Sequence, residues 1–424
     1  MARCTAYADT SAYTERGGAV GTFGQILRQH REARGLSLRQ LEERVPYTFT
    51  FISQVERGER RSPERLARDC DEQLEADGAL IEAYLQEQSG DNDMKRRTVI
   101  RALGALAASP LPLVQWEAIR NGVSAAAEGS LDYDQWESIV ADYGTSYYRV
   151  STDQITENLR ADITVLQAII PSAPETARPS LLKAMSRLSA IVALNMIATG
   201  NILAANRWWR DSHKHAKDSR DSDSVIFSHA WDVVNGCYDG RASSRVISLA
   251  DRAIRIVDPK KPTAASCGLV AGRAQALSLA GRHAEAISAV RQLGEMAAAL
   301  PSSVLNDVDS LWGWPEHRLR HTEAWVYAHA GKLAKVAQAK DRAIELYPPS
   351  LARLRSQVQL HHASALIRNG HVPDGLRLAA DVLDALPADQ HNGLLRAVAQ
   401  QVAEATPESE RQRPGYRELT DRSA

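Results

Sequence analysis

The chain has 424 residues, of which 44% are hydrophobic, and its 51 basic residues nearly balance its 52 acidic ones. This length predicts two or more domains, and the net charge of -1 gives no indication of a nucleic-acid or membrane partner over the chain as a whole. The cysteines Cys4, Cys70, Cys237 and Cys267 are far apart and form no C-x-x-C pair, which argues against a disulfide framework or a zinc site and favours a reducing compartment.

The first twenty residues are small and polar and contain no apolar run. We therefore expect residues 1–20 to form a disordered tail and find no secretory signal in them. Together with the cysteine pattern, this predicts a cytoplasmic protein.

Residues 23–74 carry their apolar side chains at helical spacing in short bursts, which predicts several short helices around one small core. Ser37, with Gln40 three residues later, has the pattern of a capping box and predicts a helix over residues 38–44. Further on, Thr48 is placed to cap the next helix.

That next helix is predicted over residues 49–57, because Gly58 follows it and favours a helix end. Ile52 and Val55 lie on its buried face. The sequence Ser62-Pro63-Glu64 then predicts another helix start, with Ser62 as the cap and Pro63 in the first turn.

This pattern resembles the helix-turn-helix domain of the Xre, or lambda-repressor-like, regulators. The matching positions are Leu36-Ser37, Leu41, Thr48, Ile52-Ser53-Gln54-Val55-Glu56-Arg57-Gly58 and Arg61-Ser62-Pro63. The resemblance implies that the helix after Thr48 enters the major groove of DNA with its N-terminal residues toward the base edges. The residues implied to face base edges are Thr48, Phe49, Thr50, Ser53 and Gln54. Those implied to hold phosphates are Arg39, Arg57, Arg60 and Arg61.

The chemistry of these side chains suits the role. Gln54 can form a bidentate contact with adenine, and an exposed Phe49 can pack on a thymine methyl group. The alternative is a stable small helical core whose arginines are merely solvated and in which Phe49 is buried.

Charge is unevenly placed in this part of the chain. Residues 22–68 contain ten Arg and six Glu, a balance of +4, whereas residues 69–93 contain nine acidic residues and no Lys or Arg. A locally basic face beside an acidic segment suits docking on DNA through one side only.

Domain boundaries are predicted from composition. Ser89-Gly90-Asp91-Asn92-Asp93 is the most linker-like stretch. Lys95-Arg96-Arg97 and the apolar residues after it look like a twin-arginine export signal, but they begin too far into the chain and are too short to span a bilayer. The predicted domains are a DNA-binding domain at 21–88, a linker and docking helix at 89–113, a sensor and dimerisation domain at 114–406 and a C-terminal tail at 407–424.

Beyond residue 114 the pattern is one helix after another, and five glycines recur between helical segments. These are Gly200, Gly240, Gly281, Gly331 and Gly370, at separations of 40, 41, 50 and 39 residues. The segments around Gly281 and Gly331 resemble tetratricopeptide repeats, because small residues and a closing glycine fall at the expected offsets. A chance series of amphipathic helices is the alternative. The longer spacing indicates long helices or short inserts.

In a solenoid of this kind, the first helix of each pair forms the inner surface. The residues predicted to face it are Arg187, Gln275, Arg318, His321, Trp325, His329, Gln357 and Arg368. A groove with these side chains would suit an extended peptide. Taken singly, most of them also fit an ordinary solvated helix face.

The sequence contains no phosphate-binding loop, no dinucleotide fingerprint, no G-x-S-x-G and no H-E-x-x-H motif. We therefore expect no enzyme, no cofactor and no metal site. The prediction is an all-α protein with an N-terminal helix-turn-helix domain followed by a tetratricopeptide-like α-solenoid.

Resemblance to peptide-responsive regulators of this architecture, such as those of actinomycetes, implies a homodimer that binds an operator in double-stranded DNA. It also implies a peptide or small-molecule effector in the groove, as in quorum sensing. The alternative function is a protein-interaction scaffold in which the helix-turn-helix has a minor role.

Overall fold

A computed structural model describes residues 22–107, 113–114, 117–118, 120–121, 133–258, 260–387 and 390–423. The chain divides into two compact units, with the boundary between Arg97 and Thr98. The predicted N-terminal tail, Cys4 and Trp116 lie outside the described residues. Within the described residues all regular structure is helical, so the all-α prediction is confirmed.

The first unit, which we call the head, is a bundle of short helices. They are α1 Phe23–Ala33, α2 Leu38–Glu42, α3 Phe49–Glu56, α4 Glu64–Gln73 and the first part of α5, Ala79–Ala107. Thr22 and Ser37 both form capping boxes, the second with Gln40 as predicted. The head core contains Leu27, Leu41, Ile52, Leu66 and Leu80, all fully buried.

Two local predictions for the head need correction. Ser62 does not cap α4, because Pro63 occupies the capping position in an extended conformation and supplies no side-chain acceptor. The predicted linker at residues 89–93 lies inside α5. The single glycine in this stretch costs a helix only about 1 kcal/mol relative to Ala. Strong helix formers lie on both sides of residues 89–93.

The second unit, the repeat unit, holds the remaining helices. They are α6 Gln135–Ser146, α7 Thr152–Ile169, α8 Arg178–Ala198, α9 Ile202–Asp218, α10 Ser222–Asn235, α11 Ser243–Ile254, α12 Ala264–Leu279, α13 His283–Ala298, α14 Ser302–Leu305, α15 Glu316–His329, α16 Leu333–Leu346, α17 Ala352–Arg368, α18 Val372–Asp384, α19 Gly393–Ala405 and α20 Pro414–Ser423. The helices from α8 to α18 form an α-solenoid.

The five recurring glycines each separate the two helices of a pair. All five have positive φ angles, between 66° and 88°, which is the left-handed conformation that commonly ends a helix. The pairs are α8–α9, α10–α11, α12–α13, α15–α16 and α17–α18. The longest spacing, between Gly281 and Gly331, contains an insert at residues 299–315 that includes the short α14.

The solenoid closes on itself. Helix α19 packs against α8, the first helix of the first pair. The approach is close at Gly393, where an added Cβ atom would lie 2.5 Å from the carbonyl oxygen of Ile197. Helix α19 therefore joins the last pair to the first, and the first helices of the pairs line a partly open cavity.

The predicted C-terminal tail is partly structured. Residues Pro414–Ser423 form α20, and Leu419 is fully buried in the main core of the repeat unit. This segment is polar apart from Leu419 and Tyr416, and so its apolar side is too narrow to be recognised from the sequence.

Helix α8 is long and apolar enough, by length and composition, to cross a membrane. However, 78% of its most apolar window is buried inside the protein, as expected for a core helix.

A buried carboxylate gives the repeat unit a predicted pH dependence. Asp162 is 9% exposed and accepts a hydrogen bond of 2.7 Å from the Tyr143 hydroxyl. Burial, opposed by this hydrogen bond, raises the pKa of Asp162 to about 6. The folded state thus binds a proton more tightly than the unfolded state, and this group lowers stability as pH rises from about 4 to about 6.

We expect Asp162→Asn to stabilise the repeat unit by about 2 kcal/mol at pH 8, since the amide needs no ionisation and keeps an acceptor for Tyr143. At pH 4 the gain should nearly vanish. Urea unfolding followed by tryptophan fluorescence at both pH values measures this difference. An equal gain at both values would contradict the assignment.

Candidate nucleic-acid interface and candidate ligand cavity

The candidate DNA-reading helix is α3, and local interactions fix both of its ends. The Thr48 hydroxyl accepts a hydrogen bond of 3.3 Å from the amide of Phe51 at the N-terminus. At the C-terminus, Gly58 has a φ of +73°. The amide of Glu59 bonds to the carbonyl oxygen of Gln54 at 2.9 Å, which satisfies a terminal carbonyl group of the helix.

The buried face of α3 anchors it in the head. Ile52 and Val55 lie in the core, and Glu56 is 9% exposed. Glu56 forms a bidentate ion pair with Arg31 of α1, with distances of 2.6 Å and 2.8 Å, and Arg31 also donates to the carbonyl oxygen of Leu36. The hydrogen bond to Glu56 raises the pKa of Arg31. This pair ties the end of α3 to α1.

The opposite face of α3 is open. Thr48, Phe49 and Thr50 are exposed, and Ser53 and Gln54 are half-buried. The alternative with a buried Phe49 is not observed, because its side chain is 39% exposed and lies 5.5 Å below the guanidinium carbon of Arg39. The head therefore presents the polar N-terminal turn of α3 with an arginine beside it.

The predicted phosphate-binding arginines also have contacts within the head. Arg57 pairs with Glu59 at 2.7 Å and also donates to the Ser53 hydroxyl. Arg60 lies 4.5 Å from the ring of Phe51, which itself stacks on Tyr47. Exposed ion pairs contribute only about 0–1 kcal/mol, so a phosphate could replace Glu59 as the partner of Arg57. Arg61 is also exposed.

The repeat unit contains a cavity of about 160 Å³ among the first helices of its pairs. Four of the predicted inner-surface residues line it: Gln275, Arg318, His321 and Gln357. Arg187 lies behind its wall, with its guanidinium carbon 5.1 Å from the ring of Phe227 and 5.3 Å from the ring of Trp312. Burial lowers the pKa of Arg187.

The remaining three residues predicted for the inner surface do not line the cavity. Trp325 is fully buried and packs against Tyr238 and His361. His329 stacks on Trp325 and bonds to its carbonyl oxygen, and Arg368 is exposed at the end of α17. The repeat pattern predicts which face of each helix turns inward, but it does not show how deeply each turn is packed.

Most of the aromatic residues that line the cavity were not predicted from the sequence. The aromatic side chains at the cavity are Tyr147, Tyr148, Phe227, Trp231, Tyr238, Trp312, Trp314 and Tyr347. Two of them belong to the insert between α14 and α15. The run Leu311-Trp312-Gly313-Trp314 is the signal that could have indicated them, because paired tryptophans in a loop are unusual.

The insert is fixed against α6. The amide of Leu311 bonds to the carbonyl oxygen of Gly144 at 3.0 Å, and the Trp312 ring nitrogen bonds to that of Ala141 at 3.3 Å. Trp312 lies so close over Gly144 that an added Cβ atom would be 1.7 Å from its ring nitrogen. One wall of the cavity is therefore held in place by residues far away in the sequence.

His321 is neutral at physiological pH. Burial is the main reason that its pKa is lowered to about 4, and the nearby charge of Arg318 contributes. Its Nδ1 atom lies 2.9 Å from the Tyr347 hydroxyl. The lining thus combines aromatic walls with neutral hydrogen-bonding groups and two arginines, Arg318 and Arg353.

Comparison with known proteins identifies the head but not the whole chain. A family model described as a helix-turn-helix domain matches residues 22–84. No curated protein and no solved structure matches the chain. The head is therefore a helix-turn-helix domain, which points to a DNA-binding regulator, and the class of the repeat unit is defined by its helices alone.

Proposed function

We propose that this protein is a sequence-specific, DNA-binding transcriptional regulator whose operator binding is controlled by a ligand in the cavity of its repeat unit. The main support is α3, which lies in a helix-turn-helix domain and leaves Thr48, Phe49 and Thr50 exposed. Side chains at the start of such a helix are the ones that reach base edges. Gln54 follows one turn later.

The proposed control requires a homodimer. Dimeric helix-turn-helix proteins bind half-sites about 34 Å apart, so a modest rearrangement of two heads changes the fit to an operator. A ligand changes this equilibrium only if it binds one arrangement more tightly than the other. The repeat unit supplies a cavity for such a ligand, and we assign dimerisation to it as well. In this proposal the DNA-binding domain comprises residues 21–88, and the sensor and dimerisation domain comprises residues 114–406.

The test is fluorescence anisotropy of full-length protein on the DNA upstream of its own gene. We expect Gln54→Ala to lower the affinity for the operator by about 1–3 kcal/mol while leaving non-specific binding nearly unchanged. Arg39→Ala should weaken binding to all sequences and reduce the dependence of affinity on salt by about one phosphate contact. Arg255→Ala, an exposed arginine of the repeat unit, is the control.

Salt-insensitive binding, or no binding to any upstream DNA, would contradict the proposed function as a DNA-binding regulator. That result would favour the alternative in which the repeats hold a partner protein. If Gln54→Ala lowers the affinity for operator and random DNA equally, α3 does not read the DNA sequence.

A further inference from the structure

The cavity of the repeat unit limits the size of its ligand. Its volume of about 160 Å³ is close to that of an engineered protein cavity of about 150 Å³ that binds benzene. It accommodates one ring with short substituents. A peptide of several residues could not lie wholly inside it.

The walls of the cavity favour a flat ring. Among the described residues, eight aromatic side chains line it. Those of Phe227 and Trp312 are tilted against each other with ring centres 5.2 Å apart. Aromatic pairs contribute about 0.5–1.5 kcal/mol beyond the area that they bury. An aromatic ligand can therefore make several such contacts at once.

The charge of the lining favours an anion. Arg318 and Arg353 line the cavity, and no Asp or Glu does so in the part of the chain that the structure describes. Neither arginine forms an ion pair with a described residue. Arg318 donates one hydrogen bond of 2.7 Å to the carbonyl oxygen of Ser310, which leaves other guanidinium N–H groups for a ligand. Planar carboxylates are the natural partners of such groups.

Unpartnered polar atoms indicate a further contact. Gln275 is 4% exposed and its side chain contacts the Tyr238 hydroxyl, but its amide oxygen has no hydrogen-bond partner among the described residues. Trp314 is likewise buried, and its ring nitrogen has no acceptor. Each buried polar group left without a partner costs about 1–3 kcal/mol. A ligand with a hydroxyl or N–H group for Gln275 and an acceptor for Trp314 would remove these costs.

From these observations we infer that the cavity binds a small aromatic carboxylic acid that carries a ring hydroxyl or ring N–H group. The carboxylate lies against Arg318 and Arg353, and the ring lies between the aromatic walls. This inference gives a ligand class to the proposed effector site, and it depends on the proposed function only for the effect of binding on DNA.

The test uses isothermal titration calorimetry on the full-length protein. The probes are pyrrole-2-carboxylate and 4-hydroxyphenylacetate, each beside its neutral amide. We expect each acid to bind about tenfold or more tightly than its amide, which is a difference of about 1.4 kcal/mol. Arg318→Gln and Arg353→Gln should each remove most of this difference. The matched control is Arg355→Gln, which lies on α17 like Arg353 but outside the cavity lining. It should leave the difference in affinity between acid and amide unchanged.

A second variant tests the cavity itself without removing a charge. Gly268 lines the cavity, and a Cβ atom there would meet Ala230 and Trp314 at ordinary contact distances of 3.6 Å. We expect Gly268→Ala to fold normally and to weaken binding of both the acid and the amide. Three results would overturn the inference. They are equal affinity for acid and amide, no binding of either acid, and an affinity for the acids that is unchanged in both arginine variants.

DNA binding is then measured separately with and without the tighter acid. A protein that binds the acid but no operator supports the ligand class and contradicts the proposed function. A protein that binds the operator but neither acid contradicts the ligand class and leaves the DNA-binding part of the proposed function supported.

Discussion

Replacing Arg31 with alanine is expected to destabilise the head by about 3–5 kcal/mol, because Glu56 is then left buried without its partner. Glu56 is 9% exposed, and Arg31 supplies two hydrogen bonds to it. Hydrogen exchange of amides within residues 22–84 measures the free energy of opening of the head. All eight tryptophans lie at residue 116 or later, so unfolding of the repeat unit, followed by tryptophan fluorescence, should be unchanged.

The control is Arg28→Ala, which removes an ion pair of 2.7 Å between Arg28 and Glu32. Both side chains of that pair are more than half exposed, and the expected cost is below about 1 kcal/mol. The double variant Arg31→Met with Glu56→Leu should recover much of the lost stability, because replacing a buried pair by apolar side chains is often neutral. Similar losses for Arg28→Ala and Arg31→Ala would refute a special role for the buried pair.

Gly272→Ala is expected to destabilise the repeat unit by about 3 kcal/mol. An added Cβ atom would lie 2.8 Å from both a methyl carbon of Val233 and the backbone nitrogen of Val234. Backbone cannot move aside as a flexible side chain can, so α12 and α10 must separate, and overpacking of this kind costs about 1–3 kcal/mol or more. Urea unfolding followed by tryptophan fluorescence measures the change.

Gly268→Ala, one turn earlier on the same helix, is the matched control. Its added methyl group fits without a clash, and alanine is favoured over glycine inside a helix by about 1 kcal/mol. The two substitutions should therefore shift stability in opposite directions. A loss of stability in both would mean that α12 lies closer to its neighbours along its whole length than the structure shows.

The sequence predicts the head well because its signals are local. The capping box at Ser37, the cap at Thr48 and the stop at Gly58 each act within a few residues, and the structure has all three. The pair of Arg31 and Glu56 was not predicted, since its members are separated by 25 positions. Nothing in the local pattern distinguishes them from the solvated charges around them.

In the repeat unit the glycine spacing predicts the helix pairs but not their closure. The inner-surface prediction places Gln275, Arg318, His321 and Gln357 at the cavity, whereas Trp325 lies in the core. A helix with neighbours on several sides has no polar face, so the sequence gives no sign of which buried turn borders a void. Arg353 was missed for a different reason, because it lies at the beginning of its helix, far from the recurring glycine Gly370 that follows the helix.

The contact between α8 and α19 changes how the repeat unit should come apart. In a linear array each terminal repeat has one neighbour, and such arrays lose order from their ends inward. Here α19 packs against both the last pair and the first pair, closely at Ile197 and Gly393, so neither pair is a free end of the array. We expect this unit to unfold in one cooperative step, and cutting the chain within α19 would expose the cavity and the first pair together.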